Sequence, residues 1–127
     1  MMEKRIVHTS AAPAAIGPYS QAVQLGGTLF TSGQLGLDPE TGELADGVER
    51  QAELAMRSLG EILKAAGLTY ADILKTTVFV TDLNDFAAVN GVYQRFFDGG
   101  YPARSCVQVA ALPKGGLVEI ECVAARA

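Results

Sequence analysis

From Ala52 onward, apolar residues return every three or four positions: Ala52, Ala55, Met56, Leu59, Ile62, Leu63 and Ala66. That spacing marks one face of an α-helix. Glu53, Arg57, Glu61 and Lys64 fill the opposite face with groups that belong in solvent. Asp46, with Glu49 three residues later, is the predicted N-cap, and Gly67 stands where the chain should leave the helix. A second stripe, Phe86, Val89, Tyr93, Phe96 and Phe97, predicts a helix over residues 85–97 capped by Asn84. Asn90 lies on this apolar stripe, four after Phe86 and three before Tyr93, so its amide needs a partner.

Strand patterns occupy the rest. Residues 22–25 and 29–32 flank Gly26-Gly27, a two-residue hairpin signal. Residues 5–9 read as a short opening strand, and residues 73–81 as a longer one rich in β-branched side chains. Residues 105–110 and 118–124 are the last two strands, joined by Leu112-Pro113-Lys114-Gly115-Gly116. Residues 11–18 and 37–44 carry the Pro and Gly punctuation of loops. The predicted order is β-β-β-α-β-α-β-β. Two helices with one apolar side each are expected to cover one face of a mixed sheet, an α+β arrangement. The other sheet face is then polar or covered by another subunit. Val107 and Val109 lie on one side of their strand, Cys106, Gln108 and Ala110 on the other, and neither side is strongly polar. That favours an oligomer.

The 127 residues fit a single domain, 1–127. A chain of that size hides roughly two-thirds of its unfolded surface without staples. Its formal net charge of −4 lacks the electrostatic footprint of a nucleic-acid binder. No apolar run approaches the roughly 20 residues of a membrane helix, and the segment from Met1 to His8 does not read as a signal peptide. Cys106 and Cys122 fit no metal spacing. They are expected to be free thiols in a reducing cytoplasm.

Most common catalytic devices are missing. His8 is the one histidine and reads as structural or exposed. No phosphate-loop or dinucleotide glycine fingerprint follows a predicted strand. What remains is Arg104, Cys106, Glu119 and Glu121, with Tyr19, Ser32, Gly33 and Asn90 upstream. Arg104 and Cys106 share one side of their strand, and Glu119 and Glu121 share one side of theirs. Were these strands a hairpin, the arginine and the carboxylates could line one surface. The plainer alternatives are a surface ion pair for Arg104 and a turn-packing Tyr19. Ser32-Gly33 would then end a strand, Asn90 would satisfy a buried backbone group, and both cysteines would be small core residues.

At these residues the chain resembles the RidA/YjgF family, also called L-PSP, over essentially its whole length. The stretches that carry the resemblance are Ala14 to Ala22 (AAIGPYSQA), Thr31-Ser32-Gly33-Gln34, Leu74 to Val80 (LKTTVFV) and Asp82 to Phe86 (DLNDF). Tyr101 to Val107 (YPARSCV), Leu112-Pro113-Lys114 and Val118-Glu119-Ile120-Glu121 complete it. The resemblance implies a chorismate-mutase-like fold and a homotrimer with clefts between subunits. It also implies that Arg104 grips a substrate carboxylate, the Cys106 main-chain N–H adds a donor and Glu119 attends a water. Tyr19, Ser32, Gly33 and Asn90 complete the cleft. The implied activity is hydrolysis of small 2-imino or enamine acids to 2-keto acids and ammonia. Asp98-Gly99-Gly100 is a shorter loop than many relatives carry there.

Such residues suit that chemistry. A guanidinium binds a carboxylate through two parallel N–H bonds, which fixes orientation as well as charge. A carboxyl group can position water and move protons. No metal, cofactor or covalent nucleophile is needed, because the substrate is already reactive. Two other functions remain open on sequence: an endoribonuclease, an activity attached to some relatives, and a non-catalytic trimer that binds small carboxylates or acts like a chaperone.

Overall fold

The computed structural model describes residues 3–126. Seven strands form one sheet: β1 (Arg5–Val7), β2 (Ala22–Leu25), β3 (Thr28–Thr31), β4 (Gln34–Leu35), β5 (Ile73–Val80), β6 (Ala103–Gln108) and β7 (Val118–Ala125). The strand order is β1-β2-β3-β7-β5-β6, with β4 also paired to β7. Only β5 and β6 run parallel, and the chain returns between them through helix α2 (Phe86–Tyr93). Helix α1 (Val48–Ala65) links β4 to β5. The fold is therefore α+β, with a mixed sheet and both helices on one face.

The core is the layer between helices and sheet. Ala52, Ala55, Met56, Leu59, Ile62 and Leu63 of α1 are fully buried, as their spacing demands. They meet Val78 and Val80 of β5 and Val118, Ile120 and Ala124 of β7. Arg50 and Arg57 bracket Glu53 on the solvent side at 2.9 and 2.7 Å. Gly67, at φ 78°, turns the chain out of α1 in the left-handed region as expected.

Four local expectations are corrected. Gly47 occupies the N-cap of α1, without a side-chain hydrogen bond, and Asp46 stands one residue too early. Asp82, not Asn84, caps the second helical segment, its side chain accepting from the Asn84 N–H at 2.9 Å. That segment is also not one helix: 3₁₀ turns at Leu83–Asp85 and Gln94–Phe96 flank the eight residues of α2. The last two strands do not form a hairpin, because β5 lies between β6 and β7.

The β3–β4 edge is irregular where it matters. Phe30 pairs with Val123 and Gln34 with Ile120, so the β3–β4 side carries one more residue between these pairs than β7 does. This bulge holds Ser32 and Gly33, and bulges re-aim side chains beside sites.

Candidate active site

The sheet register divides the candidate residues into two groups on opposite faces. Arg104 registers with Thr76, while Glu119 registers with Phe79. Thr76 and Phe79 are three apart on β5, so they point to opposite faces. The prospect of arginine and carboxylates lining one surface is thereby overturned.

The helix-side group is built on β6 and α2. Arg104 Nη1 donates to Asn90 Oδ1 at 2.6 Å. This is the partner that the Asn90 amide needs on an otherwise apolar stripe. The guanidinium carbon lies 5.2 Å from the Phe86 ring centre and 5.0 Å from that of Tyr93. Asn90 takes one of the five guanidinium N–H groups in this contact. Beside Arg104 opens a cavity of about 450 Å³, lined by Asn90, Tyr93, Gln94, Tyr101 and Pro102. Cys106 follows two residues on, half-buried on the same side and packed against the core. Burial pushes its thiol pKa up against the opposing pull of Arg104, so the thiol is held protonated rather than activated.

The second group lies on the open face, around a larger cavity of about 690 Å³. Tyr19, Ser32, Gly33, Lys114 and Glu119 contribute to its wall. Gly33 lets the Glu119 side chain lie directly against the backbone: a Cβ there would come within 2.6 Å of Glu119 Cδ. Burial, with the nearby Glu121 charge adding to it, holds the Glu119 carboxyl above its ordinary pKa. Ser32 Oγ donates to the Ser20 carbonyl at 2.6 Å, and the Ser32 N–H donates to the Gln21 carbonyl at 2.8 Å. The loop carrying Tyr19 is pinned by buried Gln21, whose amide donates to the carbonyls of Thr9 and Pro13 and accepts from the Thr9 N–H. Tyr19 itself is exposed, its hydroxyl accepting from the Ile16 N–H at 3.4 Å.

Three contributors were not singled out from sequence. Phe86 and Tyr93 flank the guanidinium, and their i, i+4, i+7 spacing with Asn90 was the available signal. Lys114 holds φ 60°, the one non-glycine residue with positive φ among those described. Such backbone strain costs on the order of 1–3 kcal/mol and collects at sites. His8 is exposed and stands apart from both cavities. Among the described residues no His, Cys, Asp and Glu cluster could hold a metal, and no helix is long and apolar enough to cross a membrane.

Comparison with known proteins gives the family of the chain. The family model described as endoribonuclease L-PSP matches residues 9–126. The 2-iminobutanoate/2-iminopropanoate deaminase of Capra hircus is 55% identical over 122 residues, which is 95% of this chain and 89% of the goat protein. The crystal structure of Escherichia coli TdcF with bound serine superposes with a TM-score of 0.94 at 53% identity, covering 97% of this chain and 99% of that one. RidA from the Antarctic bacterium Psychrobacter sp. gives a TM-score of 0.94 at 50% identity, covering 96% and 99%. With its fold, its motifs and nearly its whole length shared in this way, the chain belongs to the RidA/YjgF family, whose family model bears the name endoribonuclease L-PSP.

Proposed function

We propose that this protein is an imine deaminase that hydrolyses 2-aminoacrylate, 2-iminopropanoate and 2-iminobutanoate to 2-keto acids and ammonia. In this reading residues 1–127 form one domain of chorismate-mutase-like fold, which assembles as a homotrimer and works in the reducing cytoplasm. The unbridged Cys106 and Cys122 suit that compartment. The observation that carries the reading is the separation of two incomplete half-sites. A guanidinium with N–H groups to spare sits beside a cavity on the helix side, and a half-buried carboxyl lines a cavity on the other. A ring of copies repeats one heterologous contact, so it can set one face of a subunit against the opposite face of the next. Each cleft then takes Arg104, Asn90 and the Cys106 main chain from one copy. Tyr19, Ser32, Gly33 and Glu119 come from its neighbour.

Arg104 binds the substrate carboxylate through two N–H bonds and presents the C=N carbon to water; 2-aminoacrylate first tautomerises to 2-iminopropanoate, its C3 gaining a proton as its nitrogen loses one. The water oxygen forms a bond to that carbon as the C=N π pair moves onto nitrogen, which gains a proton. Glu119 takes the proton that water loses and returns one to nitrogen. Glu119 then carries the remaining O–H proton to the amino nitrogen as the carbon–nitrogen bond breaks, giving ammonia and the 2-keto acid. A Glu119 pKa raised by burial suits a group that must both accept and donate a proton. The steps proposed use no cofactor.

The test couples the protein to a threonine dehydratase, which generates 2-iminobutanoate, and follows release of the keto acid. The wild-type protein accelerates release. Arg104→Ala removes two charge-assisted bonds, about 3 kcal/mol or more, and slows turnover on the order of 100-fold. Near-normal turnover in that variant contradicts the carboxylate role. RNA cleavage that survives both Arg104→Ala and repurification favours the nuclease that the family name suggests, against which stands the net charge of −4.

A further inference from the structure

Arg104 lies in a built slot rather than at the end of a free chain. Phe86, Asn90 and Tyr93 project from one stripe of α2, and all three meet the guanidinium. The two ring centres stand at 5.2 and 5.0 Å from its central carbon. Both distances fall within the roughly 6 Å reach of a cation–π contact. The Tyr93 ring is fixed in turn. It is 4% exposed, and its hydroxyl is hydrogen-bonded at 2.7 Å to that of Thr76, which is wholly buried. Thr76 is the register partner of Arg104 on the adjoining strand. The sheet thus carries the guanidinium on one strand and the anchor of the ring that flanks it on the next.

An arginine side chain carries about 2 kcal/mol of rotamer entropy, which a bidentate contact must overcome unless the group is held beforehand. We propose that Phe86 and Tyr93, the latter anchored by Thr76, are positioning residues that hold the Arg104 guanidinium ready for a carboxylate. Asn90 occupies one N–H and so selects which edge of the guanidinium stays free. The inference rests on the assignment of carboxylate binding to Arg104. It adds that the aromatic slot, and not the cation alone, sets the affinity.

Phe86 is the cleaner position to perturb, because it is 38% exposed and lies at the start of α2. Phe86→Leu keeps an apolar side chain and removes the ring face. Binding of 2-ketobutyrate and of its neutral analogue 2-ketobutyramide is measured by ligand-observed NMR, alongside KM and kcat in the coupled assay. Phe86→Leu is expected to weaken 2-ketobutyrate and raise KM roughly fivefold, with kcat within about twofold. Binding of the amide should not change, and Phe86→Tyr should restore the wild-type values. Thr76→Val should reproduce the carboxylate-specific loss, and Thr76→Ser should not. Equal weakening of acid and amide overturns the proposal, because the ring would then only shape the pocket. Wild-type affinity in Phe86→Leu alongside lost affinity in Arg104→Ala overturns the slot and leaves the carboxylate role standing. Wild-type affinity in Arg104→Ala overturns that role itself.

Discussion

Gly33→Ala separates the position of Glu119 from its presence. The added Cβ would stand 2.6 Å from Glu119 Cδ, 2.8 Å from Oε1 and 2.9 Å from Cγ. Ordinary contact begins near 3.4 Å, so the nearest atom must retreat by roughly 0.8 Å. The atoms met are the far end of a flexible side chain rather than backbone, so the fold can yield at little cost. Catalysis cannot yield so easily. A displacement of about 1 Å in a catalytic group can cost on the order of 100-fold in rate, because the reacting atoms must be held in line. Gly33→Ala is therefore expected to unfold within a few degrees of wild type while kcat for 2-iminobutanoate hydrolysis falls on the order of 100-fold. Thermal unfolding followed by circular dichroism and the dehydratase-coupled assay give the two numbers. A variant that folds normally and retains kcat within about threefold refutes the claim that Glu119 works from a fixed place. A variant that loses stability and activity together refutes the reasoning that Gly33 serves the site rather than the fold.

The other predictions concern charge and the thiol. With the Glu119 pKa raised, its base form fades as pH falls through a value above the ordinary glutamate range of about 4.3. The kcat profile should accordingly lose activity on its acid side at a higher pH than an unperturbed glutamate would give. Glu121→Gln removes a like charge, lowers the Glu119 pKa and should move that limb to lower pH; an unmoved limb excludes Glu119 as the group titrating. The same shift sets a stability signature. A carboxyl whose folded pKa exceeds its unfolded one opposes folding above the unfolded value, and that penalty disappears as pH falls. Glu119→Gln should therefore melt higher than wild type at pH 7, with the two curves converging below about pH 4. Cys106→Ala should keep kcat/KM within about threefold, because the thiol is held protonated and the proposed contact is its main-chain N–H. A folded but inactive Cys106→Ala protein would point to thiol chemistry instead.

Much of the fold was legible where a period was long enough to read. Helix α1 buries six of the seven residues its pattern names, Ala66 lying just past its end; it also buries the polar Gln51 and Ser58, which an apolar pattern cannot register. Strand β4 has two residues, too few for any alternation to register, and it was missed. The second helical segment read as continuous because its apolar stripe runs on into Phe96 and Phe97. Both residues do pack against the core, but from a 3₁₀ turn and the residue after it. Asn84 and Asp82 are both competent caps, and the choice between them depends on which turn closes first.

The candidate site was legible as residues and not as geometry. Motifs drew attention to Arg104 and Glu119, and the apolar stripe to Asn90, but the faces of the two strand residues depend on strand order. Chain order suggests that β6 and β7 are neighbours. The parallel pairing of β5 with β6 places β5 between them instead. That insertion, together with the register on β5, sends the guanidinium and the carboxyl to opposite faces. The Asn90 amide was the sharpest clue, because a polar group on an apolar stripe requires a partner, and that partner is the guanidinium.

The central claim is that Arg104 of one subunit works with Glu119 of another. Mixing separately inactive Arg104→Ala and Glu119→Gln proteins, after dissociation and reassembly, tests it directly. In a three-membered ring each mixed assembly regains one cleft with both groups intact, so an equimolar mixture should recover about a quarter of wild-type activity. A mixture that reassembles fully and stays as inactive as its components would contradict the account.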